Sequence, residues 1–257
     1  MKKVMWVLIA LFAVFVGFYL YYYNRWQYLW ALEEEHKAYD VAHHDDDTLR
    51  VAMIGDSWVG LRTKEANDRI GRQLSQLTGR HVVVNTKGKG GERSRGIYQL
   101  MFEDGEYGTR SLIADGPDFC VVFAGINDAG ANLGTKQFCH HYGMILHHLL
   151  QCNIRPVVVE IPDVDIWTLY KHKPIKDIAG DFVKSTMTGC GMYHFREYRE
   201  ALNQMLTDGN WMDKVVFVPM KEWSDSPNIL LDDQIHLNRN GYERMDSCIA
   251  VHIANGQ

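Results

Sequence analysis

The cysteines of this chain do not come in pairs. Cys120, Cys139, Cys152, Cys190 and Cys248 lie far apart, with no C-x-x-C spacing among them. An odd, scattered set of this kind is neither a disulfide framework nor a zinc knuckle, although a single bridge stays open. Cys120 sits in an apolar run and reads as a small core hydrophobe. Positive charge is not in excess either: the formal net charge is -5 and the isoelectric point about 6.2. That balance argues against a nucleic-acid-binding surface. No internal repeat is present, which excludes solenoids and propellers.

Charge is missing altogether from residues 4–23, "VMWVLIALFAVFVGFYLYYY". A run of about 20 uncharged, apolar residues is long enough to cross the hydrocarbon core as a helix. Tyr21, Tyr22 and Tyr23, followed by Trp26, Tyr28 and Trp30, form the aromatic belt of an interface. A cleavable signal peptide needs small residues at its end, and this run ends in bulky rings. No cysteine follows that could carry a lipid. Residues 1–23 are therefore expected to be a single-pass membrane anchor, spanning about 4–23. Lys2 and Lys3 precede the span, whereas Arg25 is soon joined by Glu33, Glu34 and Glu35. Positive-inside counting puts the N-terminus in the cytoplasm and the remainder outside it, in the periplasm or beyond. Residues 24–49 pass from aromatic to acidic and end in "HHDDD", which reads as a short juxtamembrane helix and a solvated spacer.

With 46% hydrophobic residues and 23% charged, the rest of the chain can bury a full core. From residue 50 onward, apolar runs alternate with amphipathic ones. Strands are expected at 50–55, 81–85, 119–125, 155–161 and 214–220, each β-branched and nearly continuous in its apolar character. Helical spacing marks 64–77, 136–152, 194–207 and 240–253. Strands alternating with helices give a parallel sheet of five strands with helices on both faces. Residues 163–193 exceed what a simple connection needs, and long connections are often lids or binding loops.

The first strand runs into Gly55-Asp56-Ser57, at the sheet edge where open α/β folds place ligands. A serine there can be a nucleophile or an ordinary turn residue. As a nucleophile it needs a base. In "LDDQIHLNRNGY", Asp233 and His236 stand three apart, so one loop can carry both a base and its orienting carboxylate. The glycine-rich "NTKGKGGERS" after the second strand lets a backbone N–H approach a substrate oxygen closely. Asn127, after the third, offers an amide to an oxyanion. Each piece has a plain reading as a turn or cap, but all four fall at one edge of one sheet.

The ordered set Gly55-Asp56-Ser57, Gly91, Gly125-Ile126-Asn127-Asp128 and Asp233-Gln234-Ile235-His236 resembles the SGNH/GDSL hydrolase family, over about residues 50–257. The resemblance implies a flavodoxin-like three-layer α/β/α sandwich and serine esterase chemistry without cofactor or metal. It assigns Ser57, Asp233 and His236 as the catalytic triad, and the Ser57 and Gly91 N–H groups with the Asn127 amide as the oxyanion hole. Gly90 competes with Gly91, which is preferred because it directly precedes the acidic Glu92. Trp58 departs from the family's leucine and is a candidate pocket wall, as are Trp167 and Tyr170 in the long connection. Lys171, Lys173 and Lys176 there could attract acidic glycans or simply be solvated. His140, His141, His147 and His148 share a helix without a carboxylate at ligand spacing and read as surface or packing residues. The expected substrate is a small acyl ester on a glycan or a lipid, such as O-acetyl on envelope carbohydrate, hydrolysed or transferred. A lysophospholipase or thioesterase is the alternative. So is a non-catalytic domain of this fold that binds a glycan or a partner.

Overall fold

A computed structural model describes residues 2–163, 173–225 and 228–256. Helix α1 (Lys2–Trp26) runs on into a 3-10 turn, Gln27–Trp30. The domain then alternates strands and helices: β1 (Leu49–Gly55), α2 (Ser57–Gly60), α3 (Lys64–Thr78), β2 (Val82–Gly88), α4 (Ser94–Leu100) and α5 (Arg110–Ala114). There follow β3 (Phe119–Phe123), α6 (Ile126–Gly130), α7 (Thr135–Gln151) and β4 (Arg155–Val159). The chain ends with α8 (Ile175–Thr188), α9 (Phe195–Asp208), β5 (Val216–Val218) and α10 (Arg239–Asn255).

The five strands form one parallel sheet in the order β2-β1-β3-β4-β5. This is the α/β/α sandwich expected from the alternating pattern. Successive side chains point to opposite faces, so each strand feeds two cores. Ala52, Ile54, Cys120, Val122 and Val158 pack with α4, α7 and α9. Val51, Met53, Val121, Val157 and Val216 pack with α3 and α10. Every residue of β3 is buried, whereas β2, at the sheet edge, is only half-buried along its length. Its valines are therefore not covered on both faces as their apolar run suggested.

The order also sets the site. From β1 the chain steps to β2 on one side and then to β3 on the other. The loops at the C-terminal ends of β1 and β3 part there and leave a crevice.

Two segments differ from the sequence reading. Residues 31–48 are largely exposed, as a solvated spacer would be, but they form a strap hydrogen-bonded along the domain. The Glu33 N–H donates to His141 Nε2 at 3.2 Å, His36 N–H to the Tyr98 hydroxyl at 2.8 Å, and Ala42 N–H to the Ala114 carbonyl at 2.8 Å. Arg95 Nε also donates to Glu33 at 2.9 Å. Those partners lie on α4, α5 and α7, where sequence patterning on the strap itself could not point. Within the long connection, α8 is a helix whose Gly180 backs onto Trp26 and Tyr22 of α1. Helix α1 is long and apolar enough to cross a membrane, and none of its apolar window is buried.

Candidate active site

Ser57 opens α2 directly after β1. The turn before it is tight: a Cβ on Gly55 would lie 2.4 Å from the Phe123 carbonyl oxygen of neighbouring β3, so no larger residue fits. Asp56 caps α2, its Oδ1 accepting the Trp58 N–H at 3.0 Å. The cap fixes where the Ser57 side chain leaves the sheet.

His236 reaches Ser57 from 179 residues away, with Nε2 2.9 Å from Oγ. The loop that carries it is built by Asp233. One carboxylate oxygen accepts the backbone N–H groups of Ile235 and His236, each at 2.9 Å. The other accepts His236 Nδ1–H at 2.6 Å. The spacing of three thus lets a single side chain fold the loop and hold the imidazole tautomer, leaving Nε2 as the acceptor that faces the serine. Burial opposes the charge on Asp233, but its bonds to His236 and Ile235 hold the carboxyl below the usual range. Gln234 absorbs the tight curve at φ 59°.

Trp58 lines only a small hollow with Asp56, Ile126 and Pro162, and most of its ring is turned inward. It is 2% exposed, packed edge-on against Trp223 at 5.8 Å, and its indole N–H donates to the Ile235 carbonyl at 3.1 Å. Tyr242 of α10 donates its hydroxyl to the Trp58 carbonyl at 2.9 Å. The first bond ties the serine segment to the histidine loop and the second ties it to α10. Beside the bulky Ser-Trp turn, the sequence gives no sign of burial, because the covering groups come from the far end of the chain. Trp167 and Tyr170 lie outside the described residues.

Gly91 takes the third position of the turn Lys89–Glu92, closed by a bond from the Glu92 N–H to the Lys89 carbonyl at 3.2 Å. Its φ is +74°, the conformation that position of a type II turn reserves for glycine, whereas Gly90 keeps a negative φ. Among the described residues, neither the Ser57 nor the Gly91 N–H has a protein acceptor. The Asn127 amide, one residue into α6, donates to the Glu92 carbonyl at 2.9 Å and to Asp56 Oδ2 at 3.2 Å. Asn127 therefore links the β1, β2 and β3 loops. Asp56 had only a turn-forming role in the sequence. It is fully buried, and its carboxyl is pushed up to about 7 by burial, with the Trp58 N–H opposing and Asp128 adding to the rise. Asp128 is buried beneath, accepting from the Ser94 N–H at 3.0 Å and Ser94 Oγ at 2.6 Å.

A cleft of about 560 Å³ opens beside Gly91 and Asn127, lined also by Arg93, Lys184, Phe195 and Ile235. A nucleophile with its base, an orienting carboxylate and unoccupied N–H groups beside a cleft can carry out acyl transfer. Glu222, Cys248 and His252 gather elsewhere, with Glu222 Oε2 2.8 Å from His252 Nε2 and 3.3 Å from Cys248 Sγ. Burial and the neighbouring Glu222 push the Cys248 thiol up to about 12, so it stays protonated and donates to the carboxylate.

The model of the GDSL-like lipase/acylhydrolase family matches residues 53–244. No curated protein sequence matches the chain. Among solved structures, a lipase/acylhydrolase from Enterococcus faecalis aligns with a TM-score of 0.62 at 16% identity, over 80% of this chain and 96% of its own. The psychrotrophic esterase EstA of Pseudoalteromonas sp. gives 0.56 at 14% identity, over 82% and 98%. An acetyl xylan esterase gives 0.54 at 17% identity, over 80% and 98%.

Proposed function

Because the chain belongs to the GDSL-like lipase/acylhydrolase family, a family of hydrolases acting on esters, we propose that it is a membrane-anchored serine esterase. Its substrate is a small acyl ester, foremost an O-acetyl group on envelope carbohydrate. The observation that carries this reading is the continuous chain from Ser57 Oγ through His236 to Asp233, at 2.9 and 2.6 Å. A non-catalytic binding module has no need of that alignment.

In the proposed reaction His236 Nε2 takes the Ser57 proton as Oγ attacks the acyl carbonyl. Asp233 stabilises the imidazolium that results. The Ser57 and Gly91 N–H groups and the Asn127 amide receive the oxyanion, the amide being shared with its two present acceptors. His236 then hands its proton to the departing alcohol, leaving an acyl-serine. Water, deprotonated by the same histidine, releases the acid and restores Ser57.

Support for the setting comes from α1, whose last turns pack on α8 beside the cleft. Lys184 of α8 lies 4.7 Å from the Trp26 ring centre. Ile175, Ile178 and Phe182 of the same helix are exposed. The domain thus rests at the membrane surface in this reading, within reach of envelope polymers. The acetyl xylan esterase among the structural neighbours supports the acyl group and a sugar acceptor. The test is hydrolysis of p-nitrophenyl acetate. The wild type turns it over, and Ser57→Ala falls to the level of the buffer; equal rates would refute the assignment.

A further inference from the structure

We propose that the cleft beside Asn127 is an anion-binding subsite, and that the ester this enzyme prefers carries a carboxylate or phosphate close to its acyl group. The inference rests on the serine esterase reading of the same site and adds the charge of its substrate.

The residue that carries it is Arg93. It follows the Gly91 turn directly and lines the cleft together with Gly91 and Asn127. Its backbone N–H donates to Glu92 Oε1 at 3.2 Å, but its guanidinium has no hydrogen bond or ion pair among the described residues. Among the described residues, the acidic side chains around it are already engaged. Glu92 pairs with Lys89 at 2.7 Å. Asp128 accepts the Ser94 N–H and hydroxyl, one on each oxygen, and feels Arg93 only through space. Asp181 is shared between Lys173, Lys184 and the Tyr193 hydroxyl.

The charge count in the cleft is therefore uneven. Three cations, Arg93, Lys173 and Lys184, line it against one described carboxylate, Asp181. Lys184 spends its other bonds on Asp181 at 2.8 Å and the Ala131 carbonyl at 3.0 Å, which hold its ammonium in place. Arg93 is close enough to Lys184 to disfavour the charge on its ammonium, which burial opposes more strongly. A half-buried guanidinium facing a second cation, with no acceptor, is an arrangement that an incoming anion relieves. The planar fork suits a carboxylate or phosphate, which it can grip through two parallel N–H bonds. Gly91 and Asn127 share the same walls, so an anion held there places its ester next to the oxyanion donors.

The experiment compares three phenyl acetates that differ only in the group para to the ester: neutral 4-acetoxybenzamide, 4-acetoxybenzoate, and 4-acetoxyphenyl phosphate. At low salt the wild type prefers at least one anionic ester over the amide by roughly tenfold in kcat/KM, the worth of one charge-assisted hydrogen bond, and the gain falls mainly on KM. Added salt erodes the preference. Arg93→Gln abolishes most of that ratio and Arg93→Lys keeps part of it. The benzoate and phosphate arms tell a carboxylate-bearing sugar acid from a phosphorylated acceptor. A wild type that treats all three alike, or an Arg93→Gln variant that keeps the preference, overturns the proposal. Binding is read separately in Ser57→Ala: 4-hydroxybenzoate or 4-hydroxyphenyl phosphate raises the Tm where 4-hydroxybenzamide does not, and the shift is lost with Arg93→Gln. If no ester is hydrolysed but this shift is seen, the esterase reading fails and the anion subsite stands. Hydrolysis without charge preference or shift gives the reverse.

Discussion

Three residues next to one another, Asp56, Ser57 and Trp58, carry unrelated duties. Asp56 caps the serine helix and meets Asn127, Ser57 faces His236, and Trp58 runs inward to hold the histidine loop. The Asp233–His236 pair was legible because its spacing is local, and Ser57 because the Gly-Asp-Ser turn after a strand is narrow in its chemistry. Their meeting across 179 residues was not legible. The role of Trp58 was not, since its partners Trp223 and Ile235 are contributed from far along the chain. Nor was the lack, among the described residues, of a hydrogen-bond or ion-pair partner for the Arg93 guanidinium, which depends on where Glu92, Asp128 and Asp181 are committed. Asn127→Ala removes an oxyanion donor, and kcat is expected to drop about 100- to 1,000-fold with KM little changed, as steady-state kinetics will read. Trp58→Phe keeps most of the packing but strands the Ile235 carbonyl. It should cost about 1–3 kcal/mol in urea unfolding and lower kcat as the histidine loop loosens.

Among the elements, the strands and the longer helices were readable because buried Val-rich runs and amphipathic spacing repeat over several turns. Helices α4 and α8 and the strap escaped, since each is short or owes its place to partners elsewhere. The α3–α10 junction is one such tertiary lock. The Arg62 fork grips Asp246 at 2.8 and 3.1 Å, both side chains fully buried, and Arg69 adds a third bond at 3.2 Å. Burial raises the Asp246 carboxyl in spite of both arginines. Asp246→Ala would leave Arg62 buried and unpaired, at a cost of about 3–5 kcal/mol in chemical denaturation. Arg62→Met combined with Asp246→Leu should recover much of that loss. The strap rests on histidines of the opposite kind. Burial lowers His148 to about 4, as do His147 and His36 nearby. His148 meets the rings of Phe102 and Tyr39 at a tilt, with centroids 4.6 and 5.0 Å away. The unfolded chain protonates this group below its ordinary value of 6.5 while the native one resists until about 4. Stability is therefore lost as pH falls through that window, by about 2 kcal/mol between pH 7 and pH 5 from this residue. His148→Phe keeps the tilted ring contacts and removes the titration, so its Tm should fall less over that range than the wild type's.

For the molecule as a whole, the anchor and the domain are one arrangement in the proposed reading. The apolar α1 ends in aromatic rings that meet α8, and α8 contributes Lys184 to the cleft. Anchoring and substrate access are then linked, with the cleft held near the lipid surface. The proposed topology is tested by fusing alkaline phosphatase to the C-terminus, where the enzyme works only after export. An active fusion is expected, and an inactive, cytoplasmic one would reverse the orientation.

The central claim is that Ser57 is a nucleophile activated by His236. A fluorophosphonate reports this directly, because it forms a covalent adduct only with an activated serine. Mass analysis of the intact, folded protein should find one adduct, mapped to Ser57 and absent from Ser57→Ala and His236→Ala. An unlabelled wild type, or an adduct on another residue, would contradict the account.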